Sequence, residues 1–232
     1  MKVLLSAFAC APNVGSEGGV GWRWALELAR DHEVTVVTDV TRREAIEREM
    51  AAHPVDNLRF LYFRPRLLPR VPLNSTTAQL LYTAWQFALL PYAWRLNRQA
   101  GFDVAMHVTY GVFRHPSFLG WLGIPFIFGP LGGGEDAPLR LKRSIKGREK
   151  VKEVLRAMLN RAALFDPFLW LAYARATLIL VKTGDTRGAL PWPFRVSAVW
   201  GAHEGSLLLG TLILAGWTFM VTLRDRDLPA DI

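Results

Sequence analysis

Short apolar runs alternate with longer stretches of helical periodicity along the first 190 residues of the chain. The runs predict strands at residues 2–8, 33–38, 58–63, 103–108, 125–128 and 177–182. Strands that alternate with helices pair in parallel through right-handed crossovers. The pattern therefore predicts an α/β fold, a three-layer Rossmann-like parallel sheet whose ligands bind at the carboxyl ends of the strands.

The intervening stretches have the spacing of amphipathic helices. Residues 20–30 place Val20, Trp24 and Leu28 on one predicted face. Thr41 and Glu44 have the spacing of a capping box and predict the start of a second helix. An aromatic-rich helix is predicted at 76–98, and the basic region up to residue 174 is predicted to be helical, with an interruption near Pro167.

The alternation of predicted strands and helices ends after Leu190. Residues 205–223 form a run of 19 residues without a charged side chain. As a helix, such a run is roughly 28 Å long, about the thickness of a bilayer core. It predicts a C-terminal apolar helix that spans the membrane, the alternative being a buried core helix. We therefore divide the chain into a domain of residues 1–190 and a helical tail of residues 191–232.

Charge is concentrated in one segment. The net charge is +8, and residues 140–161 contain nine Lys or Arg against two glutamates. A basic helix suits anionic lipid or a polyphosphate, or it is a solvated face. Nucleic acid is not expected as a partner, because no nucleic-acid-binding motif is visible.

The single cysteine, Cys10, excludes an intramolecular disulfide and cannot build a metal site alone. Residues 1–11 indicate a strand and not a signal peptide.

Three groups of residues follow predicted strands and are candidates for chemistry. Gly18 and Gly19 lie in a glycine-rich loop that leads into a helix, where free N–H groups suit phosphate or a sugar hydroxyl. That loop departs from the dinucleotide fingerprint, which requires a small residue where Trp24 stands. The alternative for these glycines is a structural turn.

The second loop follows the strand at 125–128 and contains Gly132, Gly133 and Glu135. The third group is His107, which lies at the end of the predicted strand 103–108, and Arg114 shortly after it. We expect His107 to act on the reacting sugar, the alternative being a structural histidine. The two loops and the histidine are predicted to line one cleft.

These pieces together resemble the N-terminal domain of GT-B retaining glycosyltransferases of the family 4 type. The similar segments are MKVLLSAFACAPNVGSEGGVGWRWALELA, HVTYGVFRHPSFL, GIPFIFGPLGGGE and ATLILVKTGDTRGALP. The resemblance implies two facing Rossmann-like domains that transfer a hexose from a nucleotide-sugar to a polysaccharide or lipid-linked acceptor. It implies that Gly18 and Gly19 approach the donor phosphates or the acceptor. It also implies that His107 and the loop Gly132–Glu135 face the transferred sugar. No metal or other cofactor is implied.

The chain departs from that family because it lacks the second, nucleotide-sugar-binding domain. We therefore expect little or no turnover from this chain alone. The expected location is the cytoplasmic face of an anionic membrane, with residues 205–223 as a possible anchor.

The tail resembles a different family. The segment FRVSAVWGAHEGSLLL is similar to the integral-membrane haem lyase of cytochrome c maturation (the CcmF/NrfE type). The similar motif contains Trp200, Gly201, His203 and Glu204, and the resemblance departs at Gly210, where tryptophan is expected. Since the other helices of that family are missing, we expect His203 to serve in helix packing or an interface hydrogen bond and not as a haem ligand. Two families that meet near Leu190 indicate a fusion, a truncation or an artefact in the sequence.

Three functions follow from these patterns. The first is a sugar transferase domain at a membrane surface. The second is a membrane fragment related to haem-lyase assembly, and the third is a non-catalytic α/β binding module.

Overall fold

The computed structural model describes residues 1–65, 75–135 and 147–200. Within these ranges the strands are β1 (Lys2–Ser6), β2 (Glu33–Thr38), β3 (Leu58–Tyr62), β4 (Val104–His107), β5 (Phe126–Leu131), β6 (Leu178–Val181) and β7 (Ala198–Trp200). The helices are α1 (Ser16–Ala29), α2 (Arg43–Ala52), α3 (Ser75–Ala100), α4 (Arg148–Ala162), α5 (Pro167–Ala174), α6 (Gly184–Ala189) and α7 (Trp192–Ser197).

The strands form one sheet of seven strands in the order β3-β2-β1-β4-β5-β6-β7. Every neighbouring pair is parallel. The predicted α/β fold with a parallel sheet is therefore confirmed. The order reverses between β1 and β4, where Ser6 pairs with His107. In sheets of this kind, the crevice at such a reversal is the usual ligand site.

Helices cover both faces of the sheet, as the alternation of buried side chains along β1 requires. Val3 and Leu5 point into a core that includes Ile46 of α2. Leu4 points into the other core, together with Trp85 of α3. Both faces of β1 are buried because α2 and α3 lie on opposite sides of the sheet.

Helix α1 begins at Ser16, four residues before the predicted start, and packs on a different face from the predicted one. Its buried residues are Gly21, Ala25 and Ala29, whereas the predicted face of Val20, Trp24 and Leu28 is only partly buried. The small residues allow the helix to lie close to the sheet. A Cβ at Gly21 would meet Ala9 O and would lie 2.9 Å from Thr109 Cγ2.

The start of α2 differs from the predicted capping box. Asp39 accepts a hydrogen bond from Thr41 N at 3.0 Å, and it caps a short 3-10 turn, Val40–Arg42, that precedes the helix. The aspartate at the end of β2 takes the capping role because its carboxylate reaches the free N–H directly.

The predicted interruption near Pro167 is confirmed. Asp166 caps α5, and Pro167 is its first residue. Residues 140–146 of the basic segment and the whole of 205–223 lie outside the described residues. None of the helices in the described ranges is long and apolar enough to cross a membrane.

Candidate functional site

The glycine loop after β1 and the loop after β4 meet at the carboxyl edge of the sheet through Glu17. Its Oε2 accepts a hydrogen bond from Tyr110 N at 2.8 Å. Its Oε1 lies 3.4 Å from Nζ of Lys182, which follows β6. Both side chains of this ion pair are about one-third exposed, at 37% for Lys182 and 34% for Glu17. A single carboxylate thus links three strand ends around one accessible edge.

The loops after β4 and β5 are joined by backbone hydrogen bonds. Gly132 N donates to Gly111 O at 2.6 Å, and Phe113 N donates to Gly132 O at 2.9 Å. A Cβ at Gly132 would lie 3.1 Å from Lys182 Cδ. The second glycine loop and the Glu17–Lys182 pair therefore lie side by side, and we call this edge (Glu17, Tyr110, Gly132, Lys182) the glycine rim.

Gly18 and Gly19 follow Glu17 in the first turn of α1. A Cβ at Gly18 would lie 2.8 Å from Val14 Cγ2, and one at Gly19 would meet Val14 O. No side chain caps the helix at Gly15. The glycines let the loop fold back on the helix start, where the first N–H groups of a helix attract anions.

Glu135 is bound within its own loop. Its carboxylate accepts hydrogen bonds from Gly133 N at 2.8 Å and from the hydroxyls of Thr186 and Thr183 at 3.0 and 3.1 Å. Burial acts to raise the pKa of Glu135, but the hydrogen bonds from its own N–H, the two threonines and Gly133 outweigh it and lower the pKa. Glu135 holds the second glycine loop against α6.

The glycines of this loop each allow a close contact. Gly133 has a φ of +84°, in the left-handed region that favours glycine, and a Cβ at Gly134 would lie 2.5 Å from Thr186 Cα. The loop therefore keeps its shape only with these glycines.

His107 lies beneath the glycine rim and is fully buried. Its Nε2 lies 2.8 Å from the Tyr82 hydroxyl, and its Nδ1 lies 3.1 Å from Ser6 Oγ and 3.4 Å from Gln86 Nε2. Burial lowers the pKa of His107 to about 3, so the imidazole is neutral. Both ring nitrogens have protein partners, which is the environment of a structural histidine. Its expected action on a sugar stays a prediction.

Arg114 points towards α4. Its guanidinium donates a hydrogen bond to Asn160 and lies over the ring of Phe113. Burial and the nearby charge of Arg156 lower the pKa of Arg114. Among the described residues, the partners of Arg114 are Asn160 and Phe113 and not residues of the glycine rim, and its phosphate-binding role also stays a prediction.

Sequence reasoning missed the charged residues of this edge. Glu17 and Lys182 each follow a strand, and that position could have identified them. A buried ion pair at the end of β2 was also missed, in which Arg64 Nη2 lies 2.6 Å from Asp39 Oδ1. Nearby, Arg42 is partly buried, and its Nε has no acceptor among the described residues.

No group of His, Cys, Asp and Glu in the described ranges could hold a metal ion. Cys10 is buried, and burial raises the pKa of its thiol to about 12. The motif of the tail lies almost entirely outside the described residues: Trp200 ends β7, and Gly201, His203 and Glu204 follow it.

Comparison with known proteins finds similarity to cytochrome c-type biogenesis proteins. No protein-family model matches the chain. The chain is similar to the cytochrome c-type biogenesis protein CcmF of Pseudomonas aeruginosa (46% identical over 81 residues), of Pseudomonas fluorescens (49% over 71 residues) and of Escherichia coli strain K12 (38% over 87 residues).

These similarities cover 31%, 29% and 32% of this chain but only 12%, 11% and 13% of the relatives. The chain thus spans about an eighth of the length of the curated relatives it matches. A match over 31% of the chain is longer than residues 191–232, so it takes in residues before 191.

Proposed function

We propose that the C-terminal part of this chain is a segment of a CcmF-type protein and interacts with the machinery of cytochrome c biogenesis. The observation that carries this proposal is the 46% identity over 81 residues with CcmF of Pseudomonas aeruginosa. The similarity covers 12% of that relative's length, so only a small part of it has a counterpart here. We therefore propose that it occupies a partner surface and does not itself attach haem.

A competition experiment tests this proposal. The full chain is produced in Escherichia coli that matures c-type cytochromes, and holocytochrome c is measured by its haem absorbance. We expect less holocytochrome c than in cells without the chain, because the segment competes with the resident CcmF. A variant with His203→Ala and Glu204→Ala is the matched control and should restore the level. An unchanged level with the unmodified chain would contradict the proposal.

A second function is favoured by the geometry of residues 1–190. The glycine rim unites two glycine loops and one partly exposed lysine at the carboxyl edge of a parallel sheet, beside its strand-order reversal. We propose that it binds the phosphate and hydroxyl groups of a sugar substrate, as the acceptor-side half of a hexosyltransferase. Nucleotide-sugar and a glycan or lipid-linked acceptor are the proposed ligands, at the cytoplasmic face of an anionic membrane.

Calorimetry with the full chain tests the second function, using a panel of nucleotide-sugars and short glycan acceptors. We expect weak binding of a ligand that carries phosphate. Lys182→Gln should weaken it about tenfold or more, because a hydrogen bond to a charged group contributes roughly 1.5–3 kcal/mol. Arg59→Gln, on the exposed surface of β3, is the control and should leave affinity unchanged. If both variants lost affinity equally, or if no ligand of the panel bound, a non-catalytic binding module would be the better description.

A further inference from the structure

Helix α3 exposes two large aromatic side chains on one side. Phe87 is 52% exposed and Trp94 is 49% exposed, although the same helix buries Trp85 completely. The two exposed residues are separated by two helical turns, so they lie along one face. A helix that buries one aromatic face and exposes another has a second apolar surface, one that the core does not cover.

Ring contacts extend this surface across two further segments. The ring centroid of Phe87 lies 4.7 Å from that of Phe118 and 6.3 Å from that of Phe168 in α5. Phe118 in turn lies 5.6 Å from Trp121. Trp121 and Trp94 line the same open groove of about 740 Å³. We call Phe87, Trp94, Trp121 and Phe168 the aromatic strip.

The aromatic strip is bordered by positive charge. The guanidinium of Arg98 lies 4.5 Å from the ring centroid of Trp94, and that of Arg175 lies 5.6 Å from the ring centroid of Trp121. Arg95 lines the groove as well, and none of the described residues that line it carries a carboxylate. The strip therefore combines aromatic rings with guanidinium groups that lie over two of them.

The neighbouring helices continue this character. In α5, Leu171 is 50% exposed, and just before the helix Phe165 is 85% exposed. Helix α4 exposes five apolar side chains at helical spacing, beside exposed basic side chains such as Lys152 and Arg161. The five are Val151, Val154, Leu155, Met158 and Leu159. Such a helix resembles those that lie in the interface of a membrane.

We infer that the aromatic strip is a docking surface for an anionic lipid bilayer. Aromatic rings are stable at the level of the lipid headgroups, and arginine side chains reach from there to the phosphates. Each cation near an anionic surface contributes about 1 kcal/mol. The inference rests on the membrane partner proposed above, but it requires no sugar binding.

Site-directed spin labelling tests docking at the strip itself. Because residues 205–223 could tether the chain to any vesicle, vesicle binding alone is not informative. The native Cys10 is buried, so a cysteine introduced in the full chain can be labelled selectively. Leu171→Cys places a nitroxide beside Phe168. Arg48→Cys places one on α2, which lies on the opposite face of the sheet.

With vesicles of phosphatidylcholine containing phosphatidylglycerol, we expect the label at 171 to become accessible to oxygen and shielded from a water-soluble relaxation agent. The label at 48 should stay in water, and pure phosphatidylcholine should give neither change. Arg98→Gln should weaken the docking about fivefold, the equivalent of 1 kcal/mol. Trp94→Ser should weaken it further, whereas Trp192→Ser, which alters an exposed tryptophan outside the strip, should not.

Three results would overturn the inference. The label at 171 could stay in water with anionic vesicles, or it could insert equally into neutral ones. It could also be shielded without vesicles, which would show that a second copy or another part of the chain covers the strip. Because no sugar is present, none of these results depends on the proposed transferase function.

Discussion

At the scale of single residues, the hydrogen bonds around His107 join the two central strands to α3. Ser6 ends β1, His107 ends β4, and Tyr82 and Gln86 approach from the helix. All four side chains are buried, so their polar atoms depend on protein partners, and only Gln86 Oε1 of these four residues has none in the described ranges. An imidazole in this position stabilises the sheet only while it is neutral.

The pH dependence of folding should reflect this histidine. The pKa of His107 is lowered to about 3 from an ordinary value of 6.5, so the unfolded chain binds a proton that the folded chain excludes. The contribution of the neutral His107 to the free energy of unfolding is therefore fully present above pH 6.5. It is lost progressively as the pH decreases towards 3. We expect a loss of about 2 kcal/mol between pH 6.5 and 5 from this group, measured by urea unfolding.

His107→Gln should remove that contribution to the slope, although it lowers stability at neutral pH. His53→Gln is the control, because that side chain is 78% exposed. An unchanged acid slope in the His107 variant would show that other groups cause it.

The buried ion pair of Asp39 and Arg64 gives a second residue-scale prediction. Their side chains are 1% and 5% exposed. Arg64→Met would leave the carboxylate buried without its cation, and we expect a loss of about 3–5 kcal/mol in the free energy of unfolding. Arg48→Met should cost less than about 0.5 kcal/mol, because it removes an exposed pair with Glu44. Similar denaturation midpoints for the two variants would contradict this.

At the scale of elements, the sequence predicts strands better than helix faces. The bounds of β2 agree fully, because its β-branched run is flanked by polar residues. Strand β5 continues to Leu131, past the glycine and proline that follow the predicted end at Phe128. The face of α1 could not be predicted from hydrophobicity, because close approach to the sheet selects Gly21, Ala25 and Ala29 for their size.

The packing of α1 can be tested with one methyl group. In Gly21→Ala, the new Cβ would meet Ala9 O and Thr109 Cγ2, so the helix must move away from the sheet. We expect a loss of about 1–3 kcal/mol in thermal or urea unfolding. Gly188→Ala is the matched control, since a Cβ there has open space, and it should be neutral or slightly stabilising. Equal stability of both variants would show that α1 tolerates a larger separation.

At the scale of the whole molecule, the candidate site was predicted in part. The sequence placed the glycine loops at one sheet edge, and the structure brings them together there through Glu17 and Lys182. The burial of His107 could not be predicted, because its partners Ser6 and Tyr82 are distant in sequence. The similarity to CcmF supports the interpretation of the tail, and no family model supports that of residues 1–190.

The charges of the glycine rim lead to a prediction for the purified chain. We expect little or no transfer of labelled hexose from any nucleotide-sugar by the purified 232-residue chain, since among the described residues the glycine rim offers one lysine, already paired with Glu17, to stabilise a leaving diphosphate. Product formation is measured by chromatography, with a complete GT-B transferase as positive control. Sustained turnover would mean that the glycine rim alone supplies the charge stabilisation.

The position of β1 in the centre of the sheet also affects how the chain folds during synthesis. This strand leaves the ribosome before the other six strands of the sheet, and β2 can pair with one of its edges early. Its other edge pairs with β4, where Val3 lies opposite Val104. At translation rates of about 5–20 residues per second, that edge waits roughly 5–20 seconds for its partner. A nascent chain of this fold therefore exposes an apolar strand edge for seconds, which is long enough for a chaperone to bind it.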